Sequence, residues 1–175
     1  MPQDTPAVTM SVEDLVLSGR YSHWGLFKAP SEADQTAVDE ALRLVRIDDL
    51  RTRSVRSLSG GQRQRAYLAM TLAQQAELLL LDEPTSALDI GSSYEIMELV
   101  RRVQMHGPKS VIMVQHNLEL ALRYCDQIVV MDRGAIVAQG SPDEIVENPV
   151  IHDVFRVSIQ PYVSPCGRTW CFFPL

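Results

Sequence analysis

The residues that decide the fold are 78–89, which read LLLLDEPTSALD. A continuous run of leucines is typical of a strand in a parallel sheet that is buried on both faces. Asp82 and Glu83 follow at once, so two carboxylates emerge at the C-terminal end of the strand, where open α/β sheets bind ligands. Residues 84–89 form a rigid turn that returns a third carboxylate, Asp89, to the same rim. Alone, this stretch would also suit a polar strand end followed by a plain strand-to-helix connection.

Strands and helices alternate after this stretch. A helix with apolar residues on one face follows it, and Gly107 is the predicted end of that helix. Strand, helix and strand in this order predict a right-handed βαβ unit with a parallel sheet. Asp132-Arg133-Gly134 predicts a tight hairpin turn, and Ser141-Pro142 predicts a capped helix start. The further predicted strands are residues 111–114, 128–131 and 135–138, and a helix is predicted over residues 118–124.

The residues before this core read as three helices. Each begins at a serine that can cap it, and the second has the capping-box pattern. The predicted caps are Ser11, Ser31 and Ser59. The third helix runs to about Gln74 and makes Tyr67, Leu68 and Leu72 available for packing. We therefore predict an α/β fold in three parts: a helical lobe over about residues 4–74, a parallel core over about residues 75–155 and a C-terminal tail over residues 156–175.

The segment Leu58-Ser59-Gly60-Gly61-Gln62 stands at the mouth of the third helix. A serine and two glycines leave backbone N–H groups unobstructed, and the helix dipole adds positive potential. Such a helix mouth suits a phosphate group. An ordinary Ser-Gly-Gly turn would read the same way, so the segment is informative only together with its neighbours in the sequence.

A single histidine, His116, follows the predicted strand over residues 111–114. A lone histidine is more often a surface or core residue than a functional one. Two adjacent parallel strands, however, would bring Glu83 and His116 to the same edge of the sheet. At that edge one carboxylate can hold Mg²⁺ through water, while its neighbour orients or deprotonates an attacking water.

The composition argues against several classes of protein. A net charge of −6 argues against a sequence-independent nucleic-acid binder, which needs a basic face. No apolar run reaches the roughly 18–20 residues of a membrane-spanning helix, and the N-terminus does not have the pattern of a secretory signal. Cys125, Cys166 and Cys171 have no metal-ligand spacing, which favours reduced thiols. We therefore expect a soluble intracellular protein that would serve a membrane only as a peripheral subunit.

In this order and spacing, the segments resemble the motifs of ABC-transporter ATPases, which have a P-loop NTPase fold. Residues 58–62 resemble the signature motif, and residues 78–83 resemble the Walker B strand. Residues 86–89 match the D-loop, and His116 matches the switch histidine. Pro2-Gln3, ahead of the first helix, resembles the Q-loop. The resemblance extends to about residue 155.

The resemblance implies a role in ATP hydrolysis for several residues. Asp82 would hold Mg²⁺ through water, and Gln3 would be a further ligand of Mg²⁺ and water. Glu83 would be the general base, and His116 would contact the γ-phosphate.

The resemblance also implies partners. In a head-to-tail dimer of ATPase subunits, the signature residues of one subunit grip the γ-phosphate of the ATP bound to the other. Asp89 would cross the interface between the subunits. Integral membrane permease subunits would complete the assembly on the cytoplasmic face of the membrane. The implied signature residues are Ser59, Gly60, Gly61 and Gln62.

The sequence departs from the family pattern in two places. Asn117 stands where the family usually has Asp after the histidine. No G-x-x-x-x-G-K-[ST] stretch occurs in the 175 residues, and neither lysine, Lys28 or Lys109, follows a glycine-rich loop. We therefore expect a partial domain, in which the N-terminal β-subdomain and the phosphate loop are missing and which is inactive alone. Whether a miscalled start or a real truncation explains this is left open.

The branch of the family is indicated by short local similarities. Residues 12–23, 123–126 and 140–142 are similar to importer ATPases for iron–siderophore, haem and cobalamin complexes. Zinc and manganese importers are the alternative, because they share a similar Gly-Arg-Tyr segment. DNA-repair and chromosome-condensation ATPases are disfavoured, since no heptad tract is present. A non-enzymatic fragment that only pairs with an intact subunit stays open.

Overall fold

The computed structural model describes residues 10–24, 29–86, 88–105, 110–164 and 167–174. The chain forms two compact units, Met1–Val114 and Gln115–Leu175. The predicted boundary between a helical lobe and an α/β core, near residue 75, lies inside the first unit. The division into lobe, core and tail therefore stays a prediction.

The described part of the first unit contains helices and strands in the predicted order. They are α1 Val12–Ser18, α2 Glu32–Leu44, α3 Gly60–Ala73, β1 Leu78–Asp82, α4 Ile90–Met105 and β2 Ser110–Val114, with short 3₁₀ turns at Tyr21–His23, Asp48–Leu50 and Val55–Ser57. The three predicted caps are confirmed, because the hydroxyl oxygens of Ser11, Ser31 and Ser59 each accept the backbone N–H three residues on. The predicted end of α4, Gly107, lies outside the described residues.

Strands β1 and β2 form a parallel pair, as predicted. Leu78 lies opposite Ser110, and Asp82 lies opposite Val114. The pairing extends beyond β1, because the Glu83 N–H donates to the carbonyl oxygen of Val114 at 3.1 Å. The backbone between the two carboxylates is thus tied to the end of β2.

The core of the first unit lies between α1, α2, α3, α4 and one face of β1. Its largest fully buried members include Val16, Leu42, Ile47, Leu79, Ile96 and Leu99. Leu68 and Leu72 are buried, as predicted. The prediction that Tyr67 packs in this core is wrong, because its side chain is 42% exposed. The buried residues of α3 form one stripe, and at 3.6 residues per turn Tyr67 falls on the opposite side of the helix.

β1 is buried on one face and β2 is half-buried on one face, so the prediction of burial on both faces is wrong. Leu79 is 1% exposed, whereas Leu80 is 66% exposed and Ile112 is 59% exposed. Leu79 belongs to the same buried cluster as residues of α3 and α4. Nothing in the described part of the chain buries the face that carries Leu80 and Ile112. An apolar run indicates that a strand can be buried on two sides, but the number of packed layers decides whether it is.

A buried ion pair ties the ends of α1, α2 and α3 together. Arg20 Nε donates to Asp34 Oδ1 at 2.8 Å, and Nη1 donates to the Ala73 carbonyl oxygen at 2.8 Å and to Gln75 Oε1 at 2.9 Å. Both Arg20 and Asp34 are buried. The backbone N–H of Ser31 and then the Arg20 guanidinium hold the pKa of Asp34 well below its usual range. This pair was not predicted from the sequence.

The second unit consists of short elements around its own apolar core. They are α5 Leu118–Tyr124, β3 Ile128–Asp132, β4 Ala135–Gly140, α6 Pro142–Glu147, α7 Val150–Phe155, β5 Val157–Ser164 and β6 Gly167–Pro174. The predicted turn between β3 and β4 is confirmed, with positive φ at Arg133 and Gly134, as a tight hairpin needs. The predicted cap at Ser141 is also confirmed.

The region predicted as a C-terminal tail contains an antiparallel hairpin, β5–β6, for which no element was predicted. Ile159 of β5 is buried in the core of the second unit, and Trp170 and Phe172 of β6 pack against that core. Cys125 and Cys171 are free thiols, and burial raises the pKa of Cys125. Cys166 lies outside the described residues. Across the described ranges, no helix combines the length and apolar character needed to cross a bilayer.

The two faces of β1 provide a matched stability test. Leu79→Ala should lower the free energy of unfolding by about 2–5 kcal/mol, because it leaves a cavity in the core. Leu80→Ala should change it by less than about 0.5 kcal/mol, since the Leu80 side chain is largely exposed. Urea unfolding followed by circular dichroism measures both. Equal losses in the two variants would contradict the observed one-sided burial.

The Arg20–Asp34 pair predicts a pH dependence of stability. The folded-state pKa of Asp34 is below its ordinary value of 3.8, so its stabilisation is complete above that pH and is lost as the pH falls toward the folded-state pKa. Asp34→Asn should therefore lower the free energy of unfolding most at neutral pH, and it should lower it less at pH 3. Urea unfolding at several pH values measures this, with Asp49→Asn as the control for loss of one exposed charge. If Asp34→Asn lowers the free energy of unfolding by the same amount at pH 3 and at pH 7, the ionised Asp34 carboxylate does not stabilise the fold through this pair.

Candidate functional site

The mouth of α3 is built by a reciprocal capping box. Gln62 N–H donates to Ser59 Oγ at 3.3 Å, and Ser59 N–H donates to Gln62 Oε1 at 3.1 Å. These two backbone donors are therefore committed to the cap. The N–H groups of Gly60 and Gly61 lie in the first turn and have no acceptor within the helix. The N–H groups of Gly60 and Gly61 are therefore the donors of the first turn that could bind an anion.

The mouth of α3 opens into a cleft of about 330 Å³. The opposite wall consists of Leu88, Asp89 and the first turns of α4. A Cβ atom at Gly60 would lie 3.5 Å from Leu88 Cδ2, and one at Gly61 would lie 3.6 Å from Ser92 Oγ. Both are ordinary van der Waals distances. The structure thus brings the predicted signature residues and Asp89 to one cleft.

Asp89 caps the N-terminus of α4. Its Oδ1 accepts the Ser92 N–H at 2.8 Å, and its Oδ2 accepts the Ser92 hydroxyl at 2.7 Å. The backbone N–H and then the hydroxyl of Ser92 lower the pKa of the Asp89 carboxyl group. Asp89 is exposed at the rim of the cleft as a charged, anchored carboxylate. Its predicted position across a subunit interface stays a prediction.

Other residues of the cleft were not predicted from the sequence. Arg65, Ser92 and Glu95 line it together with the predicted residues. Arg65 follows Gly61 by four positions and Gln62 by three, so helical spacing places it on the same face of α3. That spacing is the signal that would have found it. Glu95 and Ser92 are related in the same way on α4.

Asp82 and Glu83 occupy a different place, at the end of β1. Asp82 is exposed, and Glu83 is half-buried with a left-handed backbone (φ 45°). This conformation costs a non-glycine residue about 1–2 kcal/mol. Hydrogen bonds to both ends of the Glu83 peptide offset that cost: its N–H bonds to Val114, and its carbonyl oxygen accepts the N–H and the hydroxyl of Ser86, both at 3.0 Å. Neither carboxylate is among the residues that line the cleft.

His116 belongs to the second unit, where it is exposed just before α5. Asn117 caps α5, because its Oδ1 accepts the Leu120 N–H at 3.2 Å. Asn and Asp are equally good N-caps, so Asn117 keeps the cap that the usual Asp of the family would make. The predicted meeting of His116 with Glu83 stays a prediction. Gln3 lies outside the described residues.

The donor chemistry at the end of β1 fits Mg²⁺. Among the described residues, no group of three or more His, Cys, Asp or Glu side chains could enclose a metal ion. Mg²⁺ in nucleotide sites, however, is held by one or two carboxylates together with water and the phosphates of the substrate. The exposed carboxylate of Asp82 matches that requirement.

Comparisons with known proteins find relatives of this sequence. The ABC transporter family profile matches residues 2–86. The chain is 41% identical over 160 residues to the petrobactin import ATP-binding protein FpuD of Bacillus anthracis, covering 91% of this chain and 59% of FpuD. It is 39% identical over 169 residues to the ferric enterobactin transport ATP-binding protein FepC of Escherichia coli, covering 91% of this chain and 62% of FepC.

A solved structure shows the same fold. The inward-facing structure of a metal-chelate type ABC transporter superposes with a TM-score of 0.86 at 28% sequence identity, covering 98% of this chain and 69% of that one. Along most of its length the chain is similar to ATP-binding proteins of ABC transporters, and its predicted α/β P-loop NTPase fold is confirmed. It spans about 60% of the length of the curated relatives that it matches.

Proposed function

We propose that this chain is part of an ATP-hydrolysing, energy-coupling subunit of an ABC importer that takes up iron–siderophore complexes. The observation that carries the proposal is the cleft in which the Ser59–Gln62 helix mouth meets Asp89. Relatives named for petrobactin and ferric enterobactin import support the iron–siderophore class of cargo over zinc or manganese. The partners would be a second ATP-binding subunit and integral membrane permease subunits, on the cytoplasmic face of the membrane.

The chemistry divides between the two places that carry site residues. At the end of β1, Glu83 would act as the general base toward water, and Asp82 would hold Mg²⁺ through water. When bound, Mg²⁺ would neutralise charge on the phosphates of ATP. At the cleft, the N–H groups of Gly60 and Gly61, which have no acceptor within α3, and the dipole of α3 would bind the γ-phosphate of an ATP held by the other subunit. His116 would contact the γ-phosphate held beside Glu83.

The 175 residues contain no G-x-x-x-x-G-K-[ST] stretch. ATP affinity in P-loop proteins comes largely from the N–H groups and the lysine of that loop. We therefore propose that these residues alone do not hydrolyse ATP, and that they complete one site when they pair with an intact subunit. In that site the partner supplies the phosphate loop and this chain supplies Ser59–Gln62.

This proposal predicts ATP-dependent pairing. The chain should co-elute from size-exclusion chromatography with a hydrolysis-deficient form of an intact relative, such as FepC, only when ATP and Mg²⁺ are present. Ser59→Arg should abolish co-elution, because the longer side chain fills the helix mouth. The chain alone should release phosphate from ATP no faster than background.

The matched control is Gln74→Arg, which adds the same charge at the exposed far end of α3. This variant should pair like the wild type. Circular dichroism should show that Ser59→Arg is folded, since loss of a serine cap costs only about 1 kcal/mol. Co-elution that ignores both ATP and Ser59→Arg would indicate a different interface and overturn the proposal.

The catalytic assignments can be tested in a chimera that joins the N-terminal part of FepC to this chain. Glu83→Gln should block hydrolysis while nucleotide binding persists, because the amide keeps the shape of the side chain and removes the base. His116→Ala should lower turnover by about 10²-fold or more, as expected when a contact to the transferred group is lost. Phosphate release and binding of a fluorescent ATP analogue measure these effects. Turnover at the parent rate in both variants would refute the assignments.

A further inference from the structure

The two walls of the cleft meet through a series of contacts along α3 and α4. At the mouth, Gly60 faces Leu88 and Gly61 faces Ser92. One turn further down both helices, Arg65 Nη2 donates to Glu95 Oε2 at 2.7 Å. Because the two glycines have no side chains, the first turn of α3 has little with which to hold α4. Among the described residues that line the cleft, Arg65 and Glu95 supply a direct side-chain bond between its walls.

Arg65 is itself anchored from a third helix. Its Nη1 donates to the carbonyl oxygen of Val45, the C-terminal cap of α2, at 3.0 Å. Val45 is fully buried, and the Arg65 side chain is only 21% exposed, whereas Glu95 is 67% exposed. The planar guanidinium can make both bonds at once, which the single ammonium of a lysine does less well. The fixed partner of the pair is therefore Arg65, and Glu95 on α4 is held against it.

We infer that Arg65 and Glu95 are positioning residues, which hold the first turns of α3 and α4 as one body, so that Ser59–Gln62 and Asp89 reach a partner together. The inference rests on the proposed function for its consequence, but the coupling of the two turns is a property of this chain alone. A role of Arg65 confined to its own helix or to the end of α2 would not reach α4.

The test uses amide hydrogen exchange, followed by NMR, on the 175-residue chain. Two amides report on the two turns: Arg63 N–H donates to Ser59 and Ser93 N–H donates to Asp89, both at 2.9 Å. Arg65→Glu should raise the exchange rate of Ser93 about fivefold, and Glu95→Arg should raise that of Arg63 about fivefold, in line with the loss of one partly exposed ion pair. The double variant with the charges exchanged should restore both rates.

The double variant also separates the two roles of Arg65. A glutamate at position 65 cannot donate to Val45, so exchange of the Ile47 amide, at the end of α2, should stay raised while Arg63 and Ser93 recover. Unchanged rates at Arg63 and Ser93 in both single variants would overturn the inference. So would rates that the charge exchange does not restore.

The functional consequence is measured by ATP-dependent co-elution with the intact relative. Each single variant should need about fivefold more ATP for half-maximal pairing, and the charge exchange should reverse this. If all variants pair equally well although amide exchange at Arg63 and Ser93 is raised in the single variants, the positioning role is overturned. If the wild type does not pair, the proposed function fails, and the positioning role fails with it, while the exchange rates still decide whether the two turns are coupled.

Discussion

The first unit depends on how closely the end of α1 approaches α3. A Cβ atom at Gly19 would lie 2.2 Å from the carbonyl oxygen of Met70, so a side chain there would force the backbones apart. The next residue, Arg20, donates to the Ala73 carbonyl, one of the last-turn groups that have no donor within α3. Asp34 balances the buried charge of Arg20 and brings α2 to the same point. The missing Cβ atom and the ion pair thus fix three helix ends together.

Fixing one end of α3 determines where its other end lies, because a helix of 14 residues is a rod about 21 Å long. The mouth of α3 then meets the mouth of α4, and both dipoles favour an anion there. Two carboxylates in the cleft would oppose an anion. Asp89 is hydrogen-bonded to the first turn of α4, and Glu95 is paired with Arg65, so each negative charge is offset by a local partner.

The features that could be predicted from the sequence are the local ones. The caps at Ser31 and Ser59 depend on residues three positions apart. The turn at Gly134 depends on positive φ angles at two adjacent residues. The parallel pairing follows from the alternation of strand and helix. The exposure of Leu80 could not be predicted, because it depends on what packs against the sheet. The pair of Arg20 with Asp34 was missed for a similar reason, since the two residues are 14 positions apart and meet only where α2 packs beside the end of α1.

The candidate site shows the same limit, and it also shows why the site residues fall in two places. Ser59–Gln62 and Asp89 could be found from their motifs, whereas the contact of Arg65 with Glu95 depends on helix packing. Glu83 lies away from the cleft but only six positions before Asp89. The connection between them is held by the bonds of Ser86 to Glu83 at one end and by the α4 cap at the other. In a head-to-tail dimer, this short connection would join Glu83, the proposed general base of one nucleotide site, to Asp89, at the rim of the cleft that faces the second nucleotide site.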